Sequence, residues 1–195
     1  MSPKSKEQIE LIRRRSISTI KEAALELFAH NGYHSTSISQ IAKAAGISKG
    51  LMYNYFSSKE DLLHTIVLEL VKMGNQLMEM LQEEEDPFRQ LKKMTDASFE
   101  MVGSNLHYWK LISSLAFQTD VLTELEPKLK EMHETGIRQL TNLFERLGSE
   151  DPRSEAYFFS ASMDGIFLHY LQLEDKYPIE EMKTYILKRY TSQKK

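Results

Sequence analysis

The sequence predicts an all-α fold of about nine helices. Apolar residues recur at three- and four-residue spacing through most of the 195 residues. There are only 8 Gly and 5 Pro, few interruptions for a chain of this length. The composition, 41% hydrophobic and 27% charged, is that of a globular protein with a core, in one or two small domains. Cys is absent, which excludes disulfides and thiolate metal sites and suits a reducing cytosol. The start, MSPKSKEQIELIRRRS, has no apolar run of the kind a secretory signal needs. The most apolar stretch, 156–173, is interrupted by Ser160, Ser162, Asp164 and His169 and falls short of a membrane span. The expectation is a cytoplasmic protein without a membrane partner.

Taken in order, residues 1–12 are polar and read as a mobile terminus. Arg13, Arg14 and Arg15 precede the first periodic helix, whose apolar face is Ile17, Ile20, Ala24, Leu27 and Phe28, with Gly32 as its stop. The Arg run reads equally as a basic arm for a phosphate or minor groove and as a solvated charge cluster. Ser37 and Gln40 then form a capping box, opening a short helix with Ile38, Ile41, Ala42 and Ala45 on one face. Gly46 breaks it, and Ser48 caps a second short helix packed by Met52 and Phe56. Lys49, Gly50, Leu51, Tyr53, Asn54 and Tyr55 are left at the N-terminal end or outer face of that second helix. This is the description of a helix-turn-helix whose second helix enters the DNA major groove.

Ser57 and Glu60 suggest a further capping box, starting a long helix over about 58–82 that the acidic run 83–86 ends. Pro87 opens the next helix, to about Gly103. Further helices are expected over 106–119, 121–147 (with Pro127 in its first turns), 153–173 and 179–190. Charge divides with position: residues 1–65 hold nine Lys/Arg and six Asp/Glu, net +3, and the remainder is net −6. That fits a phosphate-facing head on an acidic body.

The run from Ala23 to Leu63 resembles the TetR family of bacterial transcriptional regulators. The resemblance rests on the Phe28/Gly32/Tyr33 corner, Thr36-Ser37, Ile41-Ala42, the Ala45-to-Gly50 run and Tyr53-x-Tyr55-Phe56-x-x-Lys59. It implies a three-helix DNA-binding head over residues 1–57 on a larger helical ligand-binding and dimerisation body over 58–195. It places Thr36, Ser48, Lys49, Gly50, Tyr53, Asn54 and Lys59 on the DNA surface, to which the residue reading adds Ser37, Leu51 and Tyr55. Leu51 stands where the family often has a small residue; contact with a thymine methyl and packing fit it equally. The short helix has no Arg, the commonest guanine reader.

The resemblance also implies a homodimer on a palindromic DNA operator, paired through the last two helices at Ser162, Gly165, Ile166, His169, Tyr170 and Tyr185. Within the body, Met and aromatic residues suit either a plain core or an apolar effector cavity. The expected cavity residues are Met73, Phe99, Trp109 and Ser113, with Phe117, Met132, Phe159 and Met163. Ser98, Ser114 and His133 are further polar anchors. The family default is a repressor released by a small effector that prefers the DNA-incompetent state. His30, His34, His64, His107, His133 and His169 form no helical metal pair, and no nucleophile–base spacing or phosphate loop is present. The expectation is therefore no enzyme, no catalytic residue, no metal and no cofactor. The alternative is a helical ligand-binding or adaptor protein without DNA binding.

Overall fold

The computed structural model describes residues 5–81, 84–116 and 123–191. These contain nine α-helices and no strand: α1 (Lys6–Asn31), α2 (Ile38–Ala44), α3 (Lys49–Tyr53), α4 (Lys59–Leu81), α5 (Pro87–Ser104), α6 (Leu106–Ala116), α7 (Glu126–Arg146), α8 (Pro152–Leu173) and α9 (Ile179–Thr191). The chain forms two compact units. One is Met1–Leu70 with Lys110–Thr123, the other Val71–Trp109 with Glu124–Lys195.

Most helix limits follow the sequence pattern. Pro87 and Pro152 stand in the first turns of α5 and α8, where a missing N–H costs nothing. The starts of α1 and α7 differ most from expectation. α1 begins at Lys6, inside the stretch read as a mobile terminus, because Ser5 and Gln8 form a capping box. Its first ten residues are all exposed. The cap and local pairs such as Arg14–Glu10 (3.2 Å) hold them without a buried face. α7 begins later than expected, after a single 3₁₀ turn at Thr123–Leu125. The end of α6 expected at 117–119 lies outside the described residues.

In the first unit α1 packs on α2 and α2 on α3. Ile20, Leu25, Phe28, Ile41, Met52 and Leu62 are fully buried there. In the second unit α7 lies along α8, and α5 meets α9. Its core gathers Leu91, Phe99, Phe144, Phe159, Met163 and Tyr190. The Phe144 ring stands 5.0 Å from Tyr190 and 5.7 Å from Phe159, in tilted and edge contacts that favour aromatic pairs. The Tyr190 hydroxyl donates to Glu155 Oε1 at 2.7 Å. Burial and this carboxylate neighbour raise its pKa well above the ordinary phenol value.

Candidate DNA-binding and effector sites

The head is built by local backbone chemistry. Ser37 and Gln40 satisfy each other's orphan amides at the start of α2: Gln40 N–H donates to Ser37 Oγ (3.3 Å) and Ser37 N–H to Gln40 Oε1 (2.7 Å). At its end Gly46 takes φ +69°, which an L side chain rarely adopts. Gly46 N–H then reaches Lys43 O (3.2 Å) and Ile47 N–H reaches Ala42 O (3.0 Å), a complete Schellman closure. The chain turns at once into α3, where Ser48 Oγ accepts from Leu51 N–H at 3.1 Å.

α3 buries only Met52. Lys49, Gly50, Leu51, Tyr53 and the following Asn54 are exposed, Tyr53 by 49% and Leu51 by 38%. Leu51 is thus not packed into the head's own core. The Lys49 ammonium lies 6.0 Å from the Tyr53 ring centroid. Tyr55 is half-buried, with the Arg13 guanidinium 5.5 Å from its ring, so one Arg of the basic run belongs to this surface. A Cβ added to Gly50 would meet nothing within 4 Å. The fold itself leaves room there for a side chain.

Two residues expected to contact DNA face inward instead. Thr36 is 1% exposed, and its hydroxyl lies 2.9 Å from Gly32 O and 3.2 Å from Leu27 O as a shared donor. The Lys59 ammonium donates to Tyr33 O (2.8 Å), Thr36 O (2.9 Å) and His34 O (3.3 Å), and sits 4.3 Å above the Tyr33 ring. Both fix the loop that delivers α2; neither presents its polar group to a phosphate. The cap of α4 is also one residue later than expected. Ser58 Oγ accepts from Asp61 N–H (3.1 Å), while Ser57 donates its N–H and hydroxyl to the Asp61 carboxylate.

The second unit holds a cavity of about 300 Å³. Of the expected cavity residues, Met132, Phe159 and Met163 line it. Met73 does not; it is 43% exposed. Phe99 is turned into the core, its ring 5.0 Å from Phe167. Trp109 is held by its Nε1–H donating to Met101 O at 2.9 Å. Ser113 belongs to the other unit, and Phe117 lies outside the described residues. Ser98 lines the cavity, but its hydroxyl donates to Met94 O at 2.9 Å.

Sequence reasoning missed the polar wall: Asn75, Thr135, Gln139 and Asp164. Asp164, a carboxylate within the most apolar stretch of the chain, was the available signal. Burial raises its pKa against an opposing pull from His133, although the residue keeps substantial solvent access. Among the described residues no three His, Asp or Glu side chains come together as a metal site.

Residues 20–66 match the profile described as bacterial regulatory proteins, tetR family. Residues 20–66 are a tetR-family domain. A fatty acid metabolism regulator protein of Bacillus subtilis is 32% identical over 123 residues, 62% of this chain and 61% of that protein. The transcriptional regulator BetI of Escherichia coli is 28% identical over 175 residues, 82% of this chain and 83% of BetI. The matched stretch thus spans about three fifths of the first of these relatives. Among solved structures, the fatty acid degradation regulator FadR of Bacillus halodurans superposes with a TM-score of 0.71 at 21% identity. That match covers 100% of this chain and 99% of FadR, and shows a shared fold.

The residues expected at a dimer interface fall on α8 and α9. Tyr185 is 71% exposed and His169 is exposed, its ring 5.8 Å from Tyr177. Ser162, Gly165, Ile166 and Tyr170 are half-buried; Ser162 Oγ donates to Phe158 O and Ile166 also packs on the core. Tyr157, Phe158 and Leu168 add exposed apolar area to α8.

Proposed function

We propose that this chain is an effector-responsive transcriptional regulator that binds a palindromic operator as a homodimer, represses there, and is released when a small, largely apolar molecule enters the cavity. The observation that carries the reading is α3. It is a five-residue helix with one buried side chain, capped by Ser48, with cationic, aromatic and amide groups outward. Such a helix adds little to a core and is suited to lie in a major groove.

In this reading residues 1–57 are the DNA head and 58–195 the effector and dimer body. Ser37, Ser48, Lys49, Gly50, Leu51, Tyr53 and Asn54 face the duplex, and Tyr55 is set by Arg13. Thr36 and Lys59 act as positioning residues for the loop. One head covers few base pairs, so two copies joined through the exposed α8–α9 face read the two half-sites. The effector must bind the DNA-incompetent state more tightly, since equal affinity for both states shifts nothing. The protein works in the cytoplasm, where operator DNA is, and carries out no catalysis. No helix among the described residues is long and apolar enough to cross a membrane.

The test is fluorescence anisotropy with labelled DNA from just upstream of the chain's own gene, at two salt concentrations. The expected result is dimer-stoichiometric binding that weakens steeply with salt. With six or more phosphates neutralised, affinity falls by about three orders of magnitude between about 50 and 200 mM salt. Absence of binding to any duplex at low salt refutes the reading and leaves an adaptor without DNA binding.

A further inference from the structure

We propose that the cavity takes a lipophilic monocation, a protonated or quaternary amine on an apolar body, with Asp164 as its counter-ion. This rests on the reading of that cavity as the effector site. The first support is charge: among the residues lining the 300 Å³ space, Asp164 is the single ionisable side chain of either sign. A second hollow shares Asn75, Met132, Thr135 and Gln139 with it and brings in Lys128 and Glu131. Those two charges are paired with each other at 2.9 Å and cancel. The combined wall therefore carries one uncompensated negative charge.

The second support is that Asp164 has no partner within the protein. Among the described residues its carboxylate accepts no hydrogen bond and meets no cation within 4 Å, while His133 acts on it only from a distance. Asp164 is solvent-exposed, so a cation entering from water meets its carboxylate at the cavity edge. An anionic ligand meets repulsion there, and a neutral one gains nothing from the carboxylate.

The third support is the softness of the remaining wall. Met94, Met132 and Met163 offer polarisable thioethers, and Phe159 and Phe167 offer rings. Ring faces attract ammonium groups, and methionine adapts to an irregular apolar body. The volume lies at the small end of ligand pockets, about 300–1,000 Å³. The occupant is accordingly a compact amphiphile.

Three probes with the same eight-carbon chain separate charge from apolar burial: octyltrimethylammonium, 1-octanol and octanoate. Each is titrated calorimetrically into the full chain and into its Asp164→Asn variant. In the natural chain the cation binds about fivefold or more tighter than octanol, and octanoate is weakest. Asp164→Asn removes the preference and leaves octanol affinity unchanged. Equal affinity for the three probes, tightest binding of octanoate, no binding of any probe, or a cation preference that survives Asp164→Asn each overturns the assignment. The probe series in the natural chain decides the charge preference even if the variant fails to fold. Operator anisotropy on the same samples separates the two readings. Operator binding with no preference for the cation leaves the regulator standing and the counter-ion refuted. Asp164-dependent uptake of the cation without DNA binding leaves the site standing and the regulator refuted.

Discussion

At the scale of single residues the head separates side chains that hold the fold from those it leaves open. Gly50 is the clearest of the second kind, because a methyl group there meets only open space. The Gly50→Ala variant is expected to be as stable as the natural chain or more so, by up to about 1 kcal/mol from helix propensity. Its operator affinity should fall, since the backbone can no longer approach DNA as closely. Thermal unfolding and anisotropy on one sample check both halves; unchanged affinity removes Gly50 from the DNA surface. Lys59 is of the first kind. Replacing it by Met keeps the stem but removes the ammonium's hydrogen bonds to three loop carbonyls, at a cost of about 2 kcal/mol. A fall in melting temperature of the Lys59→Met chain, with faster hydrogen exchange around Tyr33–Ser37, is the expected outcome.

At the scale of elements, the short helices exist because their ends are closed. α2 has seven residues, too few to persist on helix propensity alone. It is held by Ile41 and Ala42 in the core, the Ser37/Gln40 box and the Gly46 closure. Ser37→Ala removes one side of that box and should destabilise the head by about 1 kcal/mol, measurable as a shift in the urea midpoint at constant slope. These signals are local, which is why the helix-turn-helix was legible from residue order. The same box at Ser5 and Gln8 went unread because the first turns of α1 bury nothing, and a pattern search looks for a buried face. In α4 the residue pattern was read as Ser57 with Glu60, and the geometry selects Ser58 with Asp61 instead.

For the whole molecule, legibility falls as sequence separation grows. The all-α class and the basic head were readable from periodicity and charge, but the cavity joins α4, α5, α7 and α8, residues far apart in the chain. Met, Phe and Trp look alike in a sequence whether they line a cavity or fill a core. Met132, Phe159 and Met163 line it, whereas Phe99 is turned into the core and Trp109 is tied to Met101. Thr36 was misread for a related reason: its hydroxyl is buried by contacts with Leu27 and Gly32, which residue type does not reveal. The charge division gives an expectation at this scale. With net +3 over residues 1–65 and −6 beyond, excess non-operator duplex should compete for the head more weakly as salt rises, while uptake of a cationic effector, which pairs one charge instead of several, weakens far less steeply.

The clasp of Lys59 on three carbonyls also sets its chemical reactivity. An amine acylates only through a free lone pair, so this side chain must leave the loop before a reagent can take it. Lys43 and Lys49 stand exposed nearby with no such restraint. Brief treatment with an amine-reactive ester should mark those two and pass over Lys59, and a bound duplex should then shield Lys49. The head thus carries its own footprinting reference, one lysine reporting whether the loop is closed and another whether the groove is filled.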